Sequence, residues 1–299
     1  MAGRKIVVFN RKASHEYFLE ERFEAGLVLQ GTEIKSIRQG HVQIRDAYIS
    51  FTNDEAYVKE AIKNGYRYMG FSDHAPYRNG DAPGERMRVE ELADYVSSVR
   101  KLQHTYQDQI EIRLGMEIEY FEEQLDELMQ YKEEMDYLIL GQHGPALYAP
   151  EFYDNHSDAD VLHYASLIEK ACEKGLPDII AHPDLFMFGK EVWTEACCEA
   201  AHRICASAQK HGVILEVNLN GLRYGKRKLG EEFRYTYPYR SFWEIACTYD
   251  VDIVYGLDAH APQKYADQDC FAIVNQEILY DLPLKFRNEL RFEDRNRGN

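Results

Sequence analysis

From residue 52 onward, apolar and polar positions alternate in blocks. Helical spacing of apolar residues marks Asp54 to Lys63, Val89 to Tyr106, Phe121 to Glu134, Ala159 to Glu173, Thr194 to His211 and Pro238 to Tyr249. Between them lie short apolar segments that read as strands: Tyr68 to Phe71, Ile110 to Met116, Tyr137 to Leu140, Asp178 to Ala181, Val213 to Val217 and Asp252 to Tyr255. This alternation predicts an α/β fold with a parallel sheet covered by helices. No GxGxxG follows any strand, and polar residues recur just after strand C-termini, where barrel enzymes keep their active sites. A closed barrel is therefore expected rather than an open Rossmann-type sheet.

Residues 1 to 51 break this rhythm. Lys5 to Phe9 reads as a strand, Ser14 to Arg22 as a short helix with a Ser N-cap, and Phe23 to Ile37 and Val42 to Phe51 as strands broken by Gly26, Gly31 and Gly40. That pattern predicts the opening of a small antiparallel barrel. No linker rich in Pro, Gly or Ser separates it from the βα body.

Composition adds to the division. With 299 residues, 45% hydrophobic and 13% aromatic, the chain can build one large core or two unequal domains. Residues 1 to 51 carry eight Lys or Arg against six Asp or Glu, a balance of +2, and the remainder 27 against 45, a balance of −18. The acidic body repels polyanions, which favours small phosphorylated substrates over nucleic acid as its partner. Neither a signal-like start nor a run of about 18 uncharged apolar residues occurs, so a cytoplasmic protein is expected. The six cysteines form no CxxC pair and are expected to be reduced thiols.

The predicted strand ends carry Asp73 and His74 in FSDHAP, Glu117 in LGMEIEY, His143 in LGQHG, His182 in IAHPD, and Asp258 and His260 in YGLDAHAP. Each alone could be a cap or turn residue. Imidazole and carboxylate are the ligands that zinc, iron and manganese favour, and five successive strand ends converge on one barrel mouth, so together they point to a multinuclear metal site.

SDHAP, LGME, GQHG, AHPD and GxDAHAP, in this order and spacing, resemble the PHP family and within it the histidinol phosphatase branch. The resemblance covers about residues 52 to 295. It implies a distorted (β/α)7 barrel that holds up to three divalent ions (Zn, Mn or Fe), and hydrolysis of L-histidinol phosphate or a similar phosphomonoester, a step of histidine biosynthesis, by metal-activated hydroxide. Related PHP proteins act as exonucleases or protein phosphotyrosine phosphatases. Carried over motif by motif, Glu117 would bridge two metals, His143 and His182 would complete one site, Asp258 would bind the other, and His74 with His260 would serve the third. Arg223 in VNLNGLRYG would bind substrate phosphate, or be a solvated loop arginine, with Lys226, Arg227 and Arg240 as rivals.

The pattern is incomplete at its start. The family opens with a strand carrying HxH and, a few residues later, another His, whereas this chain has no histidine between His41 and His74. The expected barrel thus lacks its native first strand, and only the position formed by Glu117, His143 and His182 keeps all its protein groups. Fewer than three ions and weak or absent activity follow.

Residues 10 to 51, NRKASHEYFLEERFEAGLVLQGTEIKSIRQGHVQIRDAYISF, resemble the N-terminal third of the transfer-messenger RNA (SsrA) binding protein, small protein B. The resemblance implies a partial OB-like β segment over residues 1 to 51, short of the later strands and basic tail of that family. Asn10, His15 and Glu24 would contact RNA, with Lys12, Lys35 and Arg38 available to phosphates; FEAG and LQG could equally be turn and core elements. Three functions remain open: a phosphatase over residues 52 to 299, an RNA-binding module on an inert barrel, or a fusion product without evolved function. Ile44 to Phe51 alternates well enough to stand in as a strand at the barrel edge.

Overall fold

The computed structural model describes residues 35, 37, 54–77, 86–147, 149, 151–153 and 156–287. The chain divides into two compact units, Met1–Thr52 and Asn53–Asn299. The two described residues of the first, Lys35 and Ile37, are helical. At these two positions the strand expected from Phe23 to Ile37 does not extend, and the rest of that expectation lies outside the described residues. The remaining expectations for this unit, including the RNA contacts of Asn10, Lys12, His15, Glu24 and Arg38 and the pairing of Ile44 to Phe51, lie outside the described residues.

In the second unit, α1 (Asp54–Lys63), β1 (Tyr68–Phe71), α2 (Leu92–Tyr106), β2 (Glu111–Ile118), α3 (Leu125–Glu134), β3 (Tyr137–Leu140), α4 (Asp158–Glu173), β4 (Ile179–Ile180), α5 (Glu195–His211) and β5 (Ile214–Asn218) keep a strict βα rhythm. A short helix α6 (Asn220–Arg223), a hairpin of β6 (Arg227–Leu229) and β7 (Glu232–Arg234), and α7 (Arg240–Ala246) then lead to β8 (Ile253–Gly256) and α8 (Asp269–Ile273). The main sheet runs β1-β2-β3-β4-β5-β8 with every pair parallel. The hairpin and α6 escaped the sequence reading, and the helix expected from Pro238 to Tyr249 is confined to Arg240–Ala246.

Local sequence explains the helix ends. Ser157 and Asp160 form a reciprocal capping box at the start of α4. Thr194 caps α5 through Cys197 N, and Gly212 ends it in the left-handed region. Small buried residues (Ala165, Ala171 and Cys172 on α4; Ala200, Ala201 and Cys205 on α5) let these helices pack together.

Strand alternation sorts the interior into two layers. Leu114, Met116, Ile118, Leu138, Leu140, Leu215 and Val217 join the core shared with the helices. The intervening Tyr137, Ile139, Ile179, Ala181, Ile214 and Val254 form a separate cluster within the curl of the sheet. Glu117, Glu216 and Asn218 share the parity of that inner set, so the β-pleat directs them toward the concave face. At the opposite end, Asp136 Oδ2 accepts from Leu114 N at 2.8 Å and Asp178 Oδ2 from Leu138 N at 2.8 Å, stapling neighbouring strands.

Among the described residues, β1 and β8 exchange no hydrogen bonds, and the sheet curls as a half-barrel, as expected of a barrel that lacks its first strand. Tyr265, just after β8, meets the rings of Tyr57 (6.4 Å) and Tyr66 (5.3 Å) across this seam edge-on, and Gln268 Nε2 donates to Tyr66 Oη at 3.2 Å. The free side of β8 takes up the C-terminal segment: Ile253 N donates to Lys285 O and Arg287 N to Ile253 O. Among the described residues the cysteines are free, and no helix is long and apolar enough to cross a membrane.

Candidate metal centre

Glu117 sits on the inner face of β2 with imidazoles on three sides. His74 Nδ1 lies 3.8 Å from its Oε2, while His143 Nε2 and His182 Nε2 each lie 3.6 Å from its Oε1. The ligand atoms of His74, Glu117 and His143 all fall within 4.8 Å of one another. These separations are too long for hydrogen bonds. They match two atoms that share one ion, since ligands at ~2.1 Å in tetrahedral array stand ~3.4 Å apart. His74 Nδ1 and His182 Nδ1 are buried without a hydrogen-bond partner. The donor set therefore fits a divalent cation.

Glycine makes room for the two inward carboxylates. A methyl at Gly141, after β3, would overlap the Glu117 carboxylate, and one at Gly256, on β8, would overlap that of Glu216. His182 and Asp258 are non-glycine residues at positive φ, 30° and 45°. Such backbone is costly for a side chain with a Cβ, and it turns both groups back over the mouth.

The charges are coupled. Burial opposes ionisation of Glu117, but the surrounding imidazoles outweigh it and hold the carboxyl at about 2. Burial lowers His143 to about 4 despite Glu117, whereas at His182 attraction to Glu117 overcomes burial and raises it. Burial above all pushes Glu216 up to about 7, and Asp258 is also close to it. Asp258 is itself held well below the usual range: burial opposes its charge, but His260 prevails at 3.0 Å from Nε2 to Oδ1.

The sequence-predicted ligands gather as follows. His74, His143 and His182 surround the Glu117 carboxylate. Asp258 and His260 form an adjoining pair, linked to the first group through Asn218, whose Nδ2 donates to Asp258 Oδ2 (3.3 Å) and Glu216 Oε2 (3.0 Å). His182 N donates to the same Glu216 oxygen at 3.3 Å. Arg223 braces the strand end: its Nη1 donates to Leu257 O at 2.7 Å, and its Nη2 is buried without a partner. Lys226 pairs with Glu277, Arg227 bonds Phe188 O, and Arg240 pairs with Asp281 and Glu244.

Several site groups were missed in the sequence. Glu216 and Asn218 were signalled by polar residues two apart in the otherwise apolar ILEVN. Asn220, whose Nδ2 reaches Asp258 Oδ2 at 3.2 Å, sits in a helix too short to predict. Buried Glu119 accepts from His143 N (2.8 Å), Gly144 N (3.0 Å), Tyr77 Oη and Arg86, fixing the backbone that carries His143.

Two sets of known proteins resemble this chain. The SmpB protein family model matches residues 7–105. SsrA-binding proteins of Bacillus mycoides (42% identical over 91 residues) and Bacillus cereus strain G9842 (43% over 89 residues) each align with 30% of this chain. The chain spans 59% and 57% of the length of these two relatives. Among solved structures, the histidinol phosphate phosphatase of Lactococcus lactis, complexed with zinc, L-histidinol and phosphate, superposes with a TM-score of 0.60 at 17% identity. It covers 78% of this chain and 88% of that one. The hisK protein of Listeria monocytogenes gives 0.57 at 21% identity over 72% and 91%.

The chain joins an SsrA-binding-protein-like stretch to a histidinol-phosphatase-like fold. The first likeness rests on sequence and the second on architecture. The SsrA-binding-like match also runs past residue 51, through α1 and β1 and nearly to the end of α2, elements that the structure builds into the parallel unit.

Proposed function

We propose that residues 52 to 299 form a metal-dependent phosphomonoesterase of the histidinol-phosphate phosphatase type, weakened because no histidine lies between His41 and His74, where the family carries its first metal-binding imidazoles. The observation that carries this reading is the Glu117 carboxylate flanked by three imidazoles at 3.6 to 3.8 Å. Glu117, His74, His143 and His182 would hold one divalent ion of zinc, manganese or iron, and Asp258 with His260 would offer a poorer second position. Bound ions would supply Lewis-acid activation of water and neutralise phosphoryl charge.

The protein's own groups prepare the pocket for an anion. Burial pushes the Glu216 carboxyl up to about 7 in the metal-free protein, so it carries less charge near neutral pH than an ordinary carboxylate would. Asn218 and Asn220 orient Asp258, and Glu119 fixes His143. The test is phosphate release from L-histidinol phosphate by the full chain with manganese or zinc. A slow release that chelator abolishes is expected; a rate equal to the chelated control refutes the reading.

A second reading is favoured by the match over residues 7–105: binding of transfer-messenger RNA through Asn10, Lys12, His15, Glu24, Lys35 and Arg38. A gel-shift titration tests it, and affinity no better than for a random RNA of equal length ends it. If both assays fail, the chain is a fusion product without either activity.

A further inference from the structure

Five aromatic side chains close a circle beside the metal centre. His143 and His182 stand 5.0 Å apart between ring centroids, Tyr153 lies 6.1 Å from His143, Tyr237 lies 6.0 Å from His182, and Phe188 completes the ring at 4.9 Å from Tyr153 and 6.0 Å from Tyr237. Two phenols thus flank the two imidazoles from segments far apart in sequence. Tyr237 is only 3% exposed, yet its hydroxyl has no hydrogen-bond partner among the described residues. The ring contacts to His182 and His143 set the Tyr237 and Tyr153 phenols directly beside the two imidazoles that flank Glu117. The Tyr153 hydroxyl is likewise without a partner among the described residues, and its neighbours include Glu117 and Asp258.

The nearby cations are committed elsewhere. Arg227 lies over Phe188 and bonds its carbonyl, Arg234 donates to Lys190 O, and the unpaired Nη2 of Arg223 is occluded from solvent. A methyl at Gly221 would overlap both the backbone and the ring of Tyr237, so the seat of this phenol is cut to shape.

We infer that Tyr237 and Tyr153 are the substrate-binding donors of this site, offering two neutral O–H groups to a terminal phosphate held over Glu117. This rests on the phosphatase reading. Neutral donors suit the position, because a pocket that already holds imidazoles, carboxylates and metal needs directional hydrogen bonds more than further charge. Deep burial of Tyr237 admits a terminal phosphate and excludes the internal phosphates of a polynucleotide.

The test is calorimetric binding of inorganic phosphate to the manganese-loaded full chain, with metal content measured on every sample. Tyr237→Phe and Tyr153→Phe should each weaken phosphate about five- to tenfold, the double variant should lose binding further, and metal content should not change. Gly221→Ala, which displaces the Tyr237 ring, should reproduce the Tyr237→Phe loss. Phenyl phosphate should compete with phosphate, and a dinucleotide phosphodiester should not. Unchanged affinity in both Phe variants with metal retained overturns the inference and leaves the phosphatase reading standing. A fall in metal content would make the phenols supports of the imidazoles and overturn it too. Competition by the phosphodiester would overturn the terminal-phosphate assignment, and absence of phosphate binding by the metal-loaded wild type would remove both inference and reading.

Discussion

Glu216 should make the metal-free protein less stable as pH rises, and Glu216→Gln should remove that dependence. The carboxyl is fully buried, and burial lifts it from its ordinary 4.5 to about 7. The folded state therefore holds a proton that the unfolded chain releases, so the stabilising contribution is complete below pH 4.5 and is lost as pH climbs through 7. At 1.36 kcal/mol per pH unit, the loss between pH 5 and 8 is ~2–3 kcal/mol. His143 acts with the opposite sign, because its depressed value of about 4 adds stability as pH rises toward 6.5. The difference between wild type and variant, rather than either curve alone, isolates Glu216. Urea unfolding in chelator at pH 5, 6.5 and 8 gives this difference. A gap that moves in favour of Glu216→Gln by ~2–3 kcal/mol corresponds to a midpoint shift of about 1 M for a slope near 2 kcal/mol/M. Parallel curves across this range would refute the assignment of a buried, protonated Glu216.

Further outcomes follow from the same geometry. Glu117→Gln removes the charge that three imidazoles surround, and metal analysis after dialysis against manganese should fall from about one ion per chain to none; three ions in the wild type would contradict the account of the missing histidines. Gly141→Ala places a methyl on the Glu117 carboxylate and should cost ~1–3 kcal/mol in thermal or urea unfolding while abolishing metal uptake. Asp178→Ala breaks the staple to Leu138 N and the Lys132 pair at 3.0 Å, far from the mouth. It should cost ~2–4 kcal/mol in urea unfolding with metal content preserved.

The strand-end motifs were legible because each pairs a liganding residue with the apolar strand that positions it, so order along the chain translates directly into position around the curl. Six strands and the helices between them followed from the same alternation. Glu216 and Asn218 were hidden inside an apolar segment whose period-two polarity was the single clue. Nothing along the sequence marks Tyr153 and Tyr237, because no local pattern says that their hydroxyls lack partners. The β6–β7 hairpin was missed because its three-residue strands, RKL and EFR, carry little apolar signal. The roles of Arg223 and His260 depended on what lay across from them, a backbone carbonyl and Asp258, which no pattern along one strand discloses.

The seam between β1 and β8 has a mechanical consequence. Everything N-terminal to it in the described unit, α1 and β1, is tied into the sheet through the ladder to β2, and otherwise through interlocked rings, helix contacts and side-chain hydrogen bonds from Tyr106 to Glu55, Tyr137 to Phe71 O and Gln268 to Tyr66. Detaching that piece would sever one ladder and leave β2 through β8 continuous. Of the three residues whose ligand atoms fall within 4.8 Å of one another, His74 alone rides on the detachable piece, while Glu117 and His143 stay behind. If the proposed centre holds a cation, its grip would be coupled to the docking of a single helix and strand, and cation binding would in turn latch them down.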